Sequence, residues 1–132
     1  MKKISVRSEQ KTQLIDITAD VRGALEGQRG RAAVVFVPHT TAGVVLQASG
    51  EGATAVAEDI EAALERIVEE EASWKHTAEG DRNPWAHVRS ALTASSVAIP
   101  LEDGRLVLGD HQTVFFCEFD GPREREVYVA VT

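Results

Sequence analysis

The last third of the chain contains four short apolar segments that are separated by turn residues. They lie at 96–101, 105–108, 113–119 and 126–131. The dipeptide Asp103-Gly104 stands between the first two segments, and Asp-Gly is typical of the tight turn of a β-hairpin. In the last segment valines alternate with other residues, as in a strand with one buried face. This part of the chain is therefore predicted to form antiparallel hairpins.

The rest of the chain predicts four more strands and up to three helices. The strands are expected at 2–9, 13–17, 31–37 and 43–48, and the helices at 18–26, 56–68 and 84–92. The helix at 56–68 is the clearest, because its apolar residues recur at spacings of three and four. Mostly antiparallel strands with two to three helices predict an α+β fold. No repeat or linker is visible, so we expect a single domain over residues 1–132.

Acidic charge is concentrated in one stretch of the sequence. The formal net charge is −7, and residues 58–71 hold seven acidic residues and one basic residue. The remaining residues carry 14 acids and 13 bases and are nearly neutral. Nucleic-acid binding needs a basic surface, so we expect no nucleic-acid partner. A phosphorylated ligand is less disfavoured than the net charge suggests, because the nearly neutral part of the chain contains every candidate site residue.

The sequence has the properties of a soluble protein from a reducing compartment. No apolar run reaches the roughly 20 residues that span a bilayer, and no apolar segment of the secretory type follows Lys2 and Lys3. The single cysteine, Cys117, excludes an internal disulfide and a multi-cysteine zinc site. We therefore expect a cytoplasmic protein with no membrane partner. Because Cys117 lies in an apolar strand, its thiol is expected to be buried and unreactive.

His39 is a candidate functional residue because it follows the apolar strand predicted at 31–37. A sheet holds the residues at its strand ends rigidly, which favours functional roles there. Thr40 and Thr41 place two hydroxyl groups beside the imidazole, and this combination suits an anion or phosphate site. The alternative is a surface turn in which the threonine side chains bond the local backbone.

Two further histidines, His76 and His87, lie on either side of a polar loop that contains Glu79, Arg82 and Asn83. Neutral imidazoles bind divalent metal ions, and three histidines from separate elements would match a site with one open water position. The three histidines are therefore candidates for a zinc or magnesium site, or for acid–base catalysis. The spacing of 11 residues between His76 and His87 matches no metal motif, and His87 is equally compatible with an exposed helix position.

Arg123 and Arg125 follow a predicted turn. A guanidinium group can hold a phosphate or carboxylate through two hydrogen bonds. The commoner arrangement is a solvated arginine that pairs with a neighbouring acid, here Glu124 or Glu126.

One charged residue interrupts an otherwise apolar strand. Glu118 lies between Cys117 and Phe119. Its side chain either faces solvent or has a buried role, and we favour the solvent face.

Several motifs follow one another in the order and at the distances of one known family. They are His39-Thr40-Thr41-Ala42-Gly43, His76 with Glu79-Gly80, Ala86-His87, Ser95-Ser96, Ile99-Pro100, Gly104-Arg105-Leu106-Val107-Leu108-Gly109, Gln112, and Glu118-Phe119-Asp120-Gly121-Pro122-Arg123. With these motifs, over nearly its whole length, the chain resembles the YjbQ-like family, whose members are often described as secondary thiamine-phosphate synthase enzymes.

The resemblance implies an α+β domain that assembles as a homotrimer. The family's histidines, matched here by His39, His76 and His87, are expected to gather in a pocket near a subunit boundary. The activity ascribed to the family joins a pyrimidine diphosphate to a thiazole phosphate, giving thiamine phosphate and pyrophosphate. It is regarded as weak or secondary.

In this interpretation the pocket binds a small phosphorylated molecule. The residues expected to hold the substrate are Thr40, Thr41, Glu79, Arg82, Asn83, Gln112 and Arg123. The histidines would bind a divalent metal ion or move protons. The alternative is a non-catalytic trimeric accessory protein that holds a metal ion or a small anion without turnover.

Two segments depart from the family pattern. Gln47-Ala48-Ser49 stands where the family usually has Asn-Glu-Asn, and Gly109-Asp110-His111-Gln112 stands where it usually has Gly-Thr-Trp-Gln. If the missing carboxylate and amides bind a metal ion or the substrate, this member is altered or inactive. Asp110 and His111 are candidates to replace the lost groups.

Overall fold

The computed structural model describes residues 1–48, 53–77 and 83–132. Within these ranges the chain forms eight strands and three helices, in the order β1 (Lys2–Arg7), β2 (Gln13–Asp16), α1 (Thr18–Ala24), β3 (Ala32–Phe36), β4 (Ala42–Ala48), α2 (Ala53–Ile67), α3 (Pro84–Leu92), β5 (Ser96–Glu102), β6 (Arg105–Leu106), β7 (Gln112–Glu118) and β8 (Glu124–Val131). Each predicted strand and helix is present, with ends that differ by a few residues. The predicted α+β fold is confirmed.

The strands form two sheets of five and three strands. Their strand orders are β1-β8-β3-β5-β6 and β2-β7-β4, and neighbouring strands are antiparallel. β8 lies between β1 and β3, so that Ile4 pairs with Val127 although the two residues are far apart in the sequence. Of the hairpins predicted for the last third of the chain, the one formed by β5 and β6 is present. A hairpin of β7 and β8 is not formed, because the two strands lie in different sheets and pair with strands from earlier in the chain.

The main core lies between the two sheets. It combines Val35 of β3 and Val129 of β8 with Val44 of β4 and Phe116 of β7, which are all 2% exposed or less. Successive side chains of a strand point to opposite faces, so the alternating pattern of β8 places its valines in this core. The continuous apolar run of β7 has a different cause, because both faces of that strand are covered.

Helices α2 and α3 cover the outer face of the three-stranded sheet. Phe115 and Cys117 of β7 pack there with Ala86 of α3, and Cys117 is completely buried, as predicted. Arg89 of α3 is also buried, and its Nε and Nη2 donate hydrogen bonds to the Val68 carbonyl oxygen at 3.1 and 2.7 Å. This places a cation at the C-terminal end of α2, where the helix dipole favours it. No helix in the three described ranges is long and apolar enough to cross a membrane.

Candidate functional site

A cavity of about 630 Å³ opens where β3 ends and β4 begins. Six of the side chains predicted for the site line it, namely His39, Thr40, Thr41, Asn83, His87 and Arg123. The pairing of Phe36 with Tyr128 fixes the chain before this connection, and the pairing of Ala42 with Glu118 fixes it afterwards. The two sheets therefore hold the segment that carries His39 at both of its ends.

Beside the cavity, Glu118 of β7 and Arg125 of β8 form a buried ion pair whose side chains are 0% and 6% exposed. Arg125 donates from Nε to one carboxylate oxygen at 2.8 Å and from Nη2 to the other at 2.5 Å. The Ser8 hydroxyl and the backbone N–H groups of Phe119 and Asp120 donate to the same carboxylate. Burial alone would raise the pKa of Glu118, but the hydrogen bonds from Arg125 and Ser8 hold that pKa below its usual value. The carboxylate is therefore ionised.

The prediction that Glu118 faces solvent is wrong, and Arg125 pairs with this buried acid rather than with a neighbouring surface glutamate. The alternation of side-chain direction along a strand could have predicted the buried positions of Glu118 and Arg125. Glu118 has the same parity in β7 as Phe116, and Arg125 has the same parity in β8 as Val127, so both point toward the main core. Complementary charges at inward positions of two strands indicate a buried pair.

Arg125 also holds Thr41 in the cavity wall. Its Nη2 donates to Thr41 Oγ1 at 2.8 Å, and Thr41 is buried. Because Nε and Nη2 are both engaged, Nη1 is the guanidinium nitrogen that has no hydrogen-bond partner in the described part of the chain. Since Arg125 lines the cavity, this fixed guanidinium group can offer an N–H group to a bound anion.

Asp120 positions two more residues of the cavity wall. Arg123 donates from Nε to the Asp120 carbonyl oxygen at 2.8 Å, and from Nη2 to the carboxylate oxygen Oδ2 at 2.7 Å. Asn83 donates from Nδ2 to the same oxygen at 2.8 Å. Arg123 therefore resembles Arg125, because two of its nitrogens are held and Nη1 has no partner within the described ranges.

The His39 ring contacts the backbone of β8. Its Nε2 lies 3.1 Å from the Glu126 backbone nitrogen and 3.0 Å from the Glu126 carbonyl oxygen. A neutral ring either accepts the first hydrogen bond or donates the second, depending on which nitrogen carries the proton. Burial and the nearby charge of Arg125 lower the pKa of His39. The imidazole is therefore neutral at pH 7 and able to accept a proton.

His87 connects this cavity to a second one. The centroids of the His76 and His87 rings are 5.1 Å apart, in an edge-to-face arrangement. Both rings line the second cavity, of about 580 Å³, together with Trp74 and Val88. Within the described ranges, His39 and His87 line the first cavity, and His76 lines the second cavity beside His87.

The expected metal site is not assembled from the described residues alone. Within 1–48, 53–77 and 83–132, no group of three His, Cys, Asp or Glu side chains is arranged to hold a metal ion. Glu79 and Arg82 lie outside the described residues. Their expected roles, and a zinc or magnesium ion at the histidines, stay predictions.

Gln112 lies away from the cavity. Gln112 is the first residue of β7, and its Oε1 accepts a hydrogen bond from the Gly109 N–H group at 2.8 Å. Glu118 is the last residue of the same strand and lies beside the cavity. Six residue steps of about 3.4 Å separate these two positions by about 20 Å. Within one chain, the structure therefore does not bring Gln112 to the other predicted substrate residues.

The two segments that depart from the family pattern meet in space. Ala48 pairs with Gln112 at the far end of β4 and β7, so residues 47–48 and 109–112 lie at the same end of this strand pair. Asp110 and His111 are exposed there, and Ser49 lies outside the described residues. Both departures are thus separated from the cavity by the length of the strands.

Comparison with known proteins agrees with the motifs. The family model for "UPF0047 protein YjbQ-like" matches residues 2–132. UPF0047 protein YugU of Bacillus subtilis is 34% identical over 135 residues, covering 98% of this chain and 96% of that protein. A crystal structure of a YjbQ/UPF0047 family protein from Clostridium acetobutylicum has a TM-score of 0.90 at 35% identity, covering 100% of both chains. A hypothetical protein from Aeropyrum pernix K1 has a TM-score of 0.90 at 34% identity, covering 99% of this chain and 96% of that one.

Proposed function

Because the chain belongs to the UPF0047 protein YjbQ-like family, we propose that it is a transferase of the thiamine-phosphate synthase type, with weak or secondary activity. The proposed reaction joins a pyrimidine diphosphate to a thiazole phosphate and releases pyrophosphate. One observation carries the proposal. Arg123 and Arg125 both line the cavity that holds His39, each is fixed through Nε and Nη2, and neither Nη1 has a hydrogen-bond partner among the described residues.

The open donors of the cavity support binding of a phosphorylated molecule. The guanidinium groups of Arg123 and Arg125 are already oriented, so an anion that binds them orders few additional side-chain dihedrals. Thr40 is an exposed residue of the same wall and carries a hydroxyl group. None of the acidic residues at 58–71 lines the cavity, so the acidic helix does not repel the ligand at contact distance.

The proposed reaction exchanges one bond for another. The bond between the pyrimidine methylene carbon and the diphosphate oxygen breaks, and the thiazole nitrogen forms a bond to that carbon. The electron pair of the broken bond leaves with pyrophosphate, whose growing charge is stabilised by Arg123, Arg125 and Thr40. Holding both substrates in one cavity accelerates the reaction through proximity. Neutral His39 is suited to orient a substrate N–H or O–H group or to take a proton.

We also propose that the chain assembles as a homotrimer through the outer face of its five-stranded sheet. On this face Val34 pairs with Ala98 and Ala130, and Phe36 pairs with Tyr128. Phe36 is 41% exposed, and apolar surface of this kind marks interaction sites. Because Phe36 also lines the cavity, a second copy packed on this face would border the substrate.

Light scattering of purified protein tests the assembly. We expect the mass of three chains for the wild type and 14.3 kDa, the mass of one chain, for Phe36→Lys. Lys2→Glu, a change at an exposed position of β1, is the control and should keep the wild-type mass. A wild-type protein with the mass of one chain contradicts the proposal.

An assay of thiamine phosphate formation tests the activity. We expect the His39→Ala, His87→Ala double variant to lose about 100-fold or more of the wild-type rate, in the range known for acid–base groups. His111→Ala removes an exposed histidine outside the cavity and is expected to keep the wild-type rate. Equal rates in the wild type and the double variant contradict the proposal.

A second candidate function is a trimeric accessory protein that holds an anion or a metal ion without turnover. The changed residues Gln47-Ala48-Ser49 favour it, because the family's carboxylate and amides are missing there. Binding of pyrophosphate by a wild type that forms no thiamine phosphate would support this function. Metal analysis of untagged wild type and His76→Ala tests the metal, and a metal-free wild type contradicts a resident ion.

A further inference from the structure

The second cavity has mainly apolar and aromatic walls. One wall is a face of α3, on which His87 and Val88 lie three and four residues after Pro84. The other wall is the segment 73–76 that follows α2. The volume of about 580 Å³ lies within the range of about 300–1,000 Å³ that is typical of small-molecule sites, which are also mostly apolar. The second cavity therefore has the size and the character of a ligand site.

Trp74 contributes an aromatic ring to this cavity and no free polar group. Its Nε1 donates a hydrogen bond to the Glu70 carbonyl oxygen at 3.0 Å, and an indole has no other hydrogen-bonding group. The residue is half-buried, and this bond holds its side chain in place. Trp74 can therefore contact a ligand only through the surface of its ring. Aromatic rings pack on one another in offset-stacked or edge-to-face arrangements.

His76 and His87 add two more rings beside Trp74. Their centroids are 5.1 Å apart and their planes are inclined by 76°. Both rings line the second cavity. Three aromatic side chains from two separate segments thus border one space, and this arrangement suits a flat aromatic group better than a strongly hydrated one.

His87 also lines the first cavity, so the two cavities adjoin at this side chain. Arg123 and Arg125 line the first cavity, whereas the second has the aromatic walls. No acidic residue of the described ranges lines either cavity, although the net charge of the protein is −7. A molecule that carries an anionic group and a flat ring would match both cavities.

We propose that the second cavity is the subsite for the aromatic ring of the ligand whose phosphate group binds Arg123 and Arg125. The inference rests on the phosphate-binding function proposed for the first cavity. The ring packs on Trp74 between α3 and the segment 73–76, and burial of the two aromatic surfaces favours the complex. The arginines bind a group that all phosphorylated ligands share, so the ring subsite selects the aromatic ones.

Calorimetric titration of the wild type with matched probes tests this inference. One pair of probes is a pyrimidinylmethyl diphosphate and methyl diphosphate, and the other is a thiazolylethyl phosphate and ethyl phosphate. The two members of a pair differ only in the ring. In at least one pair we expect the ring compound to bind about tenfold more tightly, a gain that is typical of stacking on an aromatic side chain.

The variant Trp74→Ala removes the ring surface of a residue that does not line the first cavity. We expect it to bind the two members of each pair with equal affinity, and to bind methyl diphosphate as the wild type does. Leu92→Ala is the control, because Leu92 is an apolar residue of α3 that is 57% exposed and lines neither cavity. This variant should keep the wild-type preference.

Fluorescence locates the ring without removing Trp74. The chain has two tryptophans, so Trp85→Phe leaves Trp74 as its only indole. We expect the preferred ring compound to quench the emission of this variant, and its partner without the ring to leave the emission unchanged. This measurement decides the question if Trp74→Ala does not fold.

Equal binding within both pairs by the wild type overturns the ring subsite, and so does a ring preference that persists in Trp74→Ala. If the compounds without a ring bind in these cases, the phosphate-binding function is still supported. Failure of every compound to bind refutes that function and the ring subsite together. A ring preference that Trp74→Ala abolishes, in a wild type that forms no thiamine phosphate, refutes the proposed reaction and supports the subsite.

Discussion

Glu118 of β7 and Arg125 of β8 belong to different sheets, and their buried ion pair connects the two sheets beside the cavity. Removing one partner leaves a buried charge without its counter-charge, at a cost of about 3–5 kcal/mol in comparable pairs. We expect Glu118→Leu to lower the free energy of unfolding by this amount. Urea denaturation at neutral pH measures the change.

An exposed ion pair provides the control for this prediction. Arg7 of β1 and Glu124 of β8 are 2.8 Å apart, with side chains that are 72% and 67% exposed. Water screens such a pair, so Arg7→Leu should lower the free energy of unfolding by only about 0–1 kcal/mol. Equal losses in Glu118→Leu and Arg7→Leu would show that the buried pair has no special role.

The lowered pKa of His39 predicts a pH-dependent stability. Burial and the charge of Arg125 disfavour the protonated ring in the folded protein, whereas the unfolded chain protonates near the ordinary value of 6.5. This contribution is present above pH 6.5 and is lost as the pH falls through the folded pKa. We expect the urea midpoint of the wild type to fall more steeply over this range than that of His39→Gln. His111→Gln should retain the wild-type slope, and identical slopes in all three proteins would refute the prediction.

The thiol of Cys117 is predicted to be inert. Burial, with a smaller effect of the Glu61 charge, raises the pKa of Cys117 to about 12, so the reactive thiolate is scarce at neutral pH. We expect no reaction of the folded protein with a disulfide reagent at pH 8, and one thiol per chain after denaturation in urea. Rapid labelling of the folded protein would mean that the helices over β7 open readily.

Gly121 occupies a position where a side chain has no room. A Cβ atom there would lie 2.2 Å from the Gln10 carbonyl oxygen and 2.6 Å from Ser8 Oγ, the hydroxyl that donates to Glu118. We expect Gly121→Ala to lower the free energy of unfolding by about 1–3 kcal/mol. A Cβ atom at Gly23 in α1 would have no atom of the described residues within 4 Å beyond its own helix backbone and chain neighbours. Gly23→Ala should therefore raise the free energy of unfolding by about 0.5–1 kcal/mol, because alanine favours the helix. Thermal unfolding of both variants measures the two changes in stability, which should have opposite signs.

The strands and helices could be predicted because each depends on a short local pattern. The alternation in β8 and the apolar spacing of α2 are complete within one element. The division into two sheets could not be predicted, since it depends on pairs such as Ile4 with Val127 that no local pattern connects.

Part of the candidate site could also be predicted from local patterns, and the rest depends on how distant strands are arranged. Strand ends and loops suggested His39, Asn83 and Arg123, which line one cavity. Gln112 belongs to the same series of motifs, but the order of motifs does not tell at which end of a strand a residue lies. Glu118 was expected at the surface because a lone acid is usually solvated, and its partner Arg125 becomes visible only when β7 and β8 are considered together.

The central position of β8 determines when the molecule can be completed during synthesis. In the five-stranded sheet β1 has β8 as its strand neighbour, so the first strand to leave the ribosome waits unpaired until residues 124–131 follow. Contacts between residues so far apart form slowly, because a long loop must be ordered first. Arg125 emerges with that same strand. The five-stranded sheet and the cavity wall that contains Arg125 are therefore completed in one late step, and a chain whose translation stops before residue 124 has neither.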